Sequence, residues 1–321
     1  MRTYSLLIDA SHAPEHLERC LSALARSISG FRGHTETLVQ LRTLDTRTQL
    51  LLEQRDIRFA LLPQHGQGAL RHHGATHLNG EVLIFLDAAL EVPDDWLDRL
   101  AEAFRKQSAD AVVFAQAPAD PLVPALADWY ATRIRRGFGD HPWEWPTGQL
   151  AITREWYERL GGHDPRLETC ADLDILVRLW RCHARLRWQT SPSLIDHGAP
   201  RRLGPWWRRQ RRHQARYLYT ASAARHPRFV IPRLGGTLVQ WGSVPLALLL
   251  WIPPAPTPGV ASLVISAWPA TVMTWRDGMP PRSRACRLAL WRWCLHALQL
   301  TATGAALLSP PCRRRLRRDP A

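Results

Sequence analysis

The stretch that most restricts the possible folds is residues 80–96, which read GEVLIFLDAALEVPDDW. Its apolar run, Val82–Leu86, is too short for a buried helix and is rich in branched and aromatic residues, so it predicts a strand buried on both faces. The strand ends on a carboxylate, Asp87, and Pro93 with its following acids favours the start of a helix. Asp87 could cap a turn, but an acid at the carboxyl end of a buried strand is also typical of ligand sites in open α/β sheets.

Short strands and helices alternate on either side of this stretch. Four further apolar segments predict strands, at Tyr4–Ile8, Thr37–Leu41, Ile57–Leu62 and Ala111–Phe114. Segments with helical character lie between them, at residues 17–24, 50–54 and 69–78. This alternation predicts an α/β fold with a mostly parallel sheet and helices on both faces.

The charge of the chain is strongly basic and unevenly distributed. The formal net charge is +14, almost all of it from arginine, with clusters at residues 201–216 and 313–318. Such clusters favour nucleic acid or an anionic membrane surface as partner. No nucleic-acid recognition motif accompanies the charge, so we expect a membrane and no nucleic acid. The six cysteines form no CxxC pair, which argues against a zinc site or disulfide framework and favours a reducing, cytoplasmic environment.

The last third of the chain is apolar. Three segments stand out, at Leu238–Ile252, Gly259–Trp275 and Leu288–Leu308. Each is near the lower limit of roughly 17–25 residues for a membrane-spanning helix. A buried helical subdomain is the alternative, but tryptophans at the segment ends and the preceding basic stretch favour the membrane. We expect the first two segments to form a hairpin and the third to lie in the interface.

These features predict four regions along the chain. They are a globular domain at 1–200, a basic amphipathic juxtamembrane segment at 201–236, hydrophobic membrane-associated helices at 237–308 and a basic tail at 309–321. In the juxtamembrane segment, Trp206 and Trp207 precede a run of arginines, which indicates a helix that lies on a membrane surface.

Four sequence blocks follow one another in the first two-thirds of the chain. They are YSLLIDASHAPEHLERCLSAL, GQGALRHHGATHLNGEVLIFLDAALEVPDDWL, GQLAITREWYERLGGHDPRL, and CADLDILVRLW with the later IDHG. In order and spacing, these blocks resemble the GT-A glycosyltransferases of family 2, inverting enzymes that use nucleotide-sugars. Each block alone is a weak motif, whereas four in order are specific.

The resemblance implies a role for four residues. Asp87 matches the first acid of the DxD motif, which contacts the sugar-nucleotide, and Arg71 matches an arginine near the nucleotide. Asp172 matches the acid of the ED motif, the general base that deprotonates the acceptor hydroxyl; its structural alternative is an acid in a first helical turn. His197 matches a histidine that helps Asp87 hold the metal–diphosphate, so the resemblance implies a divalent cation, Mn²⁺ or Mg²⁺, as cofactor.

The chain also departs from the family pattern. Ala89 stands where the second acid of the DxD motif is usual, and Asp9 and His12 stand where the opening block usually has Pro and Asn. The acidic pair usual after the second strand is absent at residues 40–42. These departures motivate an alternative hypothesis, a non-catalytic GT-A-like membrane protein, or pseudo-glycosyltransferase, that binds a partner.

Other residues also have structural alternatives to a functional role. His197 could be a simple turn residue, and Asp174 is expected to pair with Arg178 one helical turn away. Trp143 and Trp145 could stack on a sugar ring or pack on their own domain.

The sequence as a whole therefore predicts an inverting glycosyltransferase. It would move a sugar from a nucleotide-sugar to a hydroxyl group of a lipid-linked or envelope-glycan acceptor. We expect the catalytic domain on the cytoplasmic side of the cell inner membrane.

Overall fold

The computed structural model describes residues 2–63, 65–120, 126–127, 130–132, 134, 148–167, 171–211, 235, 237–239, 267–272, 293–298 and 300–301. The chain divides into two compact units. The sheet unit comprises residues 1–120 and 133–199, and the C-terminal unit comprises residues 121–132 and 200–321.

The sheet unit is built on one eight-stranded sheet. Its strands are β1 (Thr3–Asp9), β2 (His34–Leu41), β3 (Arg58–Leu61), β4 (Val82–Asp87), β5 (Leu90–Glu91), β6 (Ala111–Pro118), β7 (Gln149–Thr153) and β8 (Leu186–Asp196). They lie in the order β3-β2-β1-β4-β7-β6-β8-β5. The five strands that the sequence predicts are all present.

The sheet is mixed: most of its strands run in one direction, as predicted, and two strands run against them. Strands β3, β2, β1 and β4 are parallel neighbours, as predicted. Strand β7 then enters between β4 and β6 and runs antiparallel to both, and β5 pairs antiparallel with β8. Only β6 and β8 are parallel neighbours in this second half. Strands β6 and β8 therefore run in the same direction as β4.

Six helices of the sheet unit are described. They are α1 (Leu17–Gly30), α2 (Thr46–Gln54), α3 (Gln67–Thr76), α4 (Trp96–Lys106), α5 (Arg154–Arg159) and α6 (Ala171–Arg181). Leu17, Leu21 and Leu24 are buried along α1, which confirms the helical spacing read from the sequence. Helix α2 begins after Asp45, whose side chain accepts a hydrogen bond from the backbone N–H of Thr48 at 2.7 Å.

Helices cover both faces of the sheet, as predicted. Ile8 and Leu86 pack with residues of α1 and α4 on one face. Leu7 and Phe85 pack with residues of α3, α5 and α6 on the other face. The central strand β4 is therefore buried on both sides up to its last residue, because its successive side chains alternate between two helix-covered cores.

The C-terminal unit has its own apolar cluster. Residues 203–211 are helical, and Trp206 is fully buried against Leu126 and Leu295. The neighbouring Trp207 donates a hydrogen bond from Nε1 to Thr301 Oγ1 at 3.4 Å. Trp206 thus packs inside this unit instead of presenting its ring at the surface of a helix.

The predictions about the membrane stay predictions. Within the described ranges, no helix combines the length and the apolar character needed to cross a membrane. The apolar segments predicted at 238–252, 259–275 and 288–308 lie mostly outside the described residues, as does the tail at 313–318. The loop containing Trp143 and Trp145 is also outside them.

Candidate functional site

Three neighbouring parallel strands carry polar side chains on one face at their carboxyl ends. Asp9 ends β1, Asp87 ends β4 and Gln40 lies near the end of β2, and the backbone register pairs Asp9 with both of the others. Register partners in adjacent strands point to the same face, so the three side chains lie side by side. The carboxyl ends of parallel strands are where open α/β sheets bind ligands.

Arg71 of α3 is the centre of the site. Its fully buried guanidinium places Nη2 at 2.7 Å from Asp87 Oδ1, 3.4 Å from Asp172 Oδ2 and 4.0 Å from Asp9 Oδ2. Burial favours its uncharged form, but the three carboxylates outweigh burial and raise the pKa of Arg71. We call Asp9, Arg71, Asp87 and Asp172 the Arg71 cluster. One cation faces three carboxylates, so the cluster carries an excess of negative charge.

Asp87 is the most accessible acid of the cluster. Its side chain is 40% exposed, whereas those of Asp9 and Asp172 are 3% and 1% exposed. Partial burial raises the pKa of Asp87, and the charges of Asp9, Asp172 and Asp196 raise it further, while Arg71 opposes them. Asp87 is therefore the carboxylate that a ligand can reach.

Asp172 lies in the first turn of α6 and is held from three directions. Its Oδ2 accepts hydrogen bonds from Arg71 and from the backbone N–H of Gly148 at 3.2 Å. His163 Nε2 lies 3.4 Å from its Oδ1. Burial alone would raise the pKa of Asp172, but Arg71, His163 and Gly148 outweigh burial and lower it to about 2. Asp172 is thus an ionised, buried carboxylate.

Gly148 connects the two acids through its backbone. Its N–H binds Asp172, and its carbonyl accepts a 2.7 Å hydrogen bond from the N–H of Asp87. Its φ is +102°, and a Cβ at this position would lie 2.5 Å from Asp87 Oδ2. Glycine is required here because any side chain would be strained and would collide with the carboxylate.

His197 is committed to other partners. Its Nε2 lies 2.7 Å from Glu91 Oε2, and its Nδ1 lies 2.8 Å from an Arg19 guanidinium nitrogen. Its backbone N–H donates to the carbonyl of Ala89 at 3.0 Å. The structure brings Asp87, Arg71 and Asp172 together, but it engages both ring nitrogens of His197 with neighbours outside the Arg71 cluster.

Asp196, the residue before His197, is the acid that acts on Asp87 from this side. Its charge contributes to the raised pKa of Asp87. Asp196 Oδ1 and the Cβ of Ala89 each lie 3.3 Å from where a Cβ of Gly198 would stand. A carboxylate therefore lies near the alanine that replaces the second DxD acid.

The donor set suits a hard divalent cation only in part. Among the residues that the structure describes, no group of three or more His, Cys, Asp or Glu is arranged to hold a metal ion. Asp87 and Asp196 offer oxygen ligands in a negatively charged setting, and Mg²⁺-like ions are often held by one or two carboxylates plus phosphate oxygens of a substrate. The residues present fit a cation that the substrate helps to bind.

The neighbouring acid Asp174 has a structural role. Arg178 Nε donates to Asp174 Oδ2 at 2.8 Å, which confirms the expected pair one turn apart. The other guanidinium nitrogens of Arg178 donate to the carbonyls of Leu160 and Gly162, both at 2.8 Å. This pair holds the loop that precedes His163.

The sequence gives unequal signals for the remaining site residues. Asp9 ends an apolar strand as Asp87 does, and this pattern alone indicates a carboxylate at the ligand-binding edge of the sheet. In the sequence, Asp9 is identified only as a departure from the family pattern. Gly148, His163 and Asp196 are not identified, because their proximity to the acids depends on strand pairing and loop packing that no local pattern encodes.

Comparisons with known proteins identify the kind of fold. Residues 36–123 match the family model for Glycosyl transferase family 2. N-acetylgalactosaminyltransferase 7 of Drosophila melanogaster is 27% identical over 146 residues, which are 37% of this chain and 25% of that protein. The O-antigen biosynthesis protein RfbC of Myxococcus xanthus is 28% identical over 155 residues, which are 40% of this chain and 12% of that protein. The chain thus spans a quarter or less of the length of these relatives.

A solved structure shares this fold. The mannosyltransferase PcManGT from Pyrobaculum calidifontis, in complex with GDP-Man and Mn²⁺, superposes with a TM-score of 0.55 at 18% identity, covering 98% of this chain and 82% of that chain. The resemblance to GT-A glycosyltransferases of family 2 is confirmed by the family match and by the fold.

Proposed function

We propose that this chain is a glycosyltransferase that moves a sugar from a nucleotide-sugar to a hydroxyl group of an acceptor. The observation that carries the proposal is the Arg71 cluster, in which the acids of the DxD and ED positions, Asp87 and Asp172, meet on one buried guanidinium. Two distant sequence blocks converge there at the ligand-binding edge of a GT-A-like sheet. The relatives and the solved neighbour, which are named as sugar transferases, support the same reaction class.

On the donor side, Asp87 is the residue that contacts the nucleotide-sugar. It is the exposed acid of the cluster and lies at the strand end where ligands bind in such sheets. Arg71 is fully buried, so it acts behind the site by holding Asp87 and Asp172 in place. Its role is thus supporting, whereas the family pattern implies one near the nucleotide.

A divalent cation is the cofactor that the donor side fits best. The solved neighbour holds Mn²⁺ with GDP-Man, and the excess negative charge around Asp87 disfavours a bare diphosphate. Asp87 and Asp196 would hold the cation, while His197 remains with Glu91 and Arg19. When bound, such an ion neutralises charge that develops on the departing diphosphate.

On the acceptor side, Asp172 is the general base of an inverting transfer. The acceptor oxygen forms a bond to the anomeric carbon, the bond from that carbon to the diphosphate oxygen breaks, and the hydroxyl proton passes to Asp172. The carboxylate is ionised and oriented, as a base must be. It is fully buried, so the proposal requires that donor binding expose it. Its low pKa fits a transfer in which the proton leaves the acceptor late.

A second candidate, a non-catalytic binding protein, has its own supporting observations. Ala89 replaces the second DxD acid, and no acid is present at residues 40–42. Gln40 is fully buried instead at the strand end where that acidic pair is usual. A sheet with this site could retain affinity for a nucleotide or a glycan without transferring a sugar.

The membrane and the lipid-linked or envelope-glycan acceptor belong to the proposal as well. Residues 201–211 are rich in arginine, and Leu238, Trp268 and Val272 expose 69%, 65% and 42% of their surfaces. Basic and exposed apolar side chains together favour an anionic lipid surface, here the cytoplasmic face of the inner membrane. Flotation with vesicles of phosphatidylglycerol and phosphatidylcholine tests this. Equal recovery with purely zwitterionic vesicles, or none with either, would contradict it.

The experiment that tests the function separates donor binding from transfer. Calorimetry with UDP and GDP nucleotides, with and without Mn²⁺, measures binding, and mass spectrometry of acceptor mixtures measures transfer. We expect Asp87→Asn to abolish binding, and Asp172→Asn to retain binding but to slow transfer about 10²–10⁴-fold, the range for loss of a general base. Glu102→Gln, in an exposed pair with Lys106 on α4, is the matched control and should change neither.

Each outcome decides between the two candidates. Binding that depends on Asp87, with transfer that depends on Asp172, supports the enzyme. Binding without transfer in the unchanged protein favours the non-catalytic protein, and no binding of either nucleotide excludes both donors. Transfer that survives Asp172→Asn removes Asp172 from the role of base.

A further inference from the structure

A buried row of polar groups continues from Asp172 into the core. His163, in the loop after α5, is fully buried, and its Nε2 lies 3.4 Å from Asp172 Oδ1. Its Nδ1 lies 3.2 Å from the hydroxyl of Tyr157 on α5. The His163 ring also packs edge-on against Phe85 of β4, with centroids 4.6 Å apart. A phenylalanine would satisfy this packing equally well, so packing does not explain the imidazole.

The hydrogen bonds of the row assign the proton of the imidazole. The backbone N–H of His163 donates to the Tyr157 hydroxyl oxygen at 3.2 Å. The hydroxyl keeps its proton, because burial raises the pKa of Tyr157 to about 12, and it can donate that proton to Nδ1. The remaining imidazole proton then lies on Nε2, which faces the Asp172 carboxylate. Burial also lowers the pKa of His163, which favours this neutral form.

The contact between His163 and Asp172 involves two buried atoms that have no other hydrogen-bond partner among the described residues. Neither His163 Nε2 nor Asp172 Oδ1 forms a well-aligned hydrogen bond with any described residue. Both atoms are inaccessible to solvent. An unpaired buried polar atom is costly, so the pair gains free energy by closing its 3.4 Å separation. The other oxygen, Oδ2, is already held by Arg71 and Gly148.

We propose that His163 is a positioning residue for the general base. Its Nε2–H fixes the orientation of the Asp172 carboxylate through Oδ1, and Tyr157 fixes the imidazole tautomer. The inference rests on the proposed function, since it assigns His163 a role through Asp172. It explains why a nitrogen-bearing ring occupies a site whose packing an apolar ring would satisfy.

Kinetics of three variants of the full chain test the role. His163→Phe should lower kcat about 10–100-fold, the effect of losing a group that orients a catalytic ligand, and leave the KM for the donor within about twofold. The acidic limb of kcat/KM should move to higher pH, because Asp172 loses a donor that favours its ionised form. His163→Gln, whose amide can replace Nε2–H, should recover most of kcat, and Tyr157→Phe should show the same changes more weakly.

A spectroscopic measurement makes the test independent of activity and of folding defects. Nitrogen-15 NMR of histidine-labelled protein should show the Nε2–H tautomer for His163, with an Nε2 shift that changes in Asp172→Asn. An Nδ1–H tautomer, or a His163→Phe enzyme with unchanged kcat and acidic limb, overturns the inference. If the unchanged protein transfers no sugar, the proposed function fails and the catalytic role of His163 fails with it, while the NMR result still shows whether the contact exists.

Discussion

Asp87 and Asp172 bind the same guanidinium, which lowers the pKa of both, yet their pKa values are shifted in opposite directions. At the strand end, Asp87 is partly exposed and has a raised pKa, whereas at the helix end Asp172 is fully buried and its pKa is lowered to about 2. Burial alone would predict the reverse order. The difference follows from the neighbours, because Asp172 faces hydrogen-bond donors and Asp87 faces further carboxylates.

This difference in surroundings suits Asp87 and Asp172 to different roles. Asp172, which is surrounded by hydrogen-bond donors, is fixed in its ionised form and in one orientation. These properties suit a group that accepts a proton from a hydroxyl. Asp87, which lies among other acids, has an open side in a negatively charged setting, which suits a group that binds a positively charged or cation-bound ligand.

Removal of the guanidinium that Asp87 and Asp172 share should have the largest effect on stability. Arg71→Met leaves three carboxylates without their cation, and breaking a buried ion pair in this way typically costs about 3–5 kcal/mol. We expect this loss in the free energy of unfolding measured with urea at pH 7. Arg99→Met removes an exposed pair with Asp95 on α4 and should cost less than about 1 kcal/mol. Equal losses in the two variants would contradict a central role for Arg71.

The pH dependence of stability should sharpen the contrast at the helix end. The pKa of Asp172 is lower in the folded protein than in the unfolded chain, so its ionised form stabilises the fold above about pH 4 and this contribution is lost as the pH falls toward 2. The stability gap between the unchanged protein and Asp172→Asn should therefore narrow over this interval, by on the order of 2 kcal/mol. A gap that is independent of pH would show that Asp172 has an ordinary pKa.

Asp87, at the end of β4, should cause a smaller change of stability with pH, and this change should have the opposite sign. The pKa of Asp87 is higher in the folded protein, so its protonated form favours the fold, and that contribution disappears as the pH rises from about 4 through the raised pKa. Relative to Asp87→Asn, the unchanged protein should lose stability with rising pH. Urea unfolding from pH 4 to 8 measures this. Partial exposure screens Asp87, so the change should be smaller than for Asp172, and a rise in relative stability would contradict the assignment.

The sequence predicts the strand that carries Asp87 better than the surroundings of Asp172. The parallel half of the sheet is predictable because its strands are local apolar runs, and Asp87 is recognisable because it ends the most apolar of them. Asp172 and Arg71 are predictable only through the order of the four blocks. Neither residue has a local signal that distinguishes it from an ordinary helical side chain.

The remaining features depend on contacts that no short segment encodes. Gly148, the residue before β7, lies beside the acids only because β7 enters the sheet antiparallel to β4. The family pattern points to His197, whereas the neighbouring charge that raises the pKa of Asp87 is that of Asp196. Adjacent residues at a strand end have different surroundings, and the family pattern alone does not show which of the two acts on the site.

The register of the central strands has a consequence for how this sequence can diverge. Asp9 and Asp87 are direct register partners, so a one-residue insertion within β1 or β4 would turn the acid to the opposite face of the sheet. Substitutions beyond the strand, as at Ala89, leave that alignment intact. Descendants of this chain can therefore exchange ligand residues after the strands freely, but insertions and deletions should be confined to the loops.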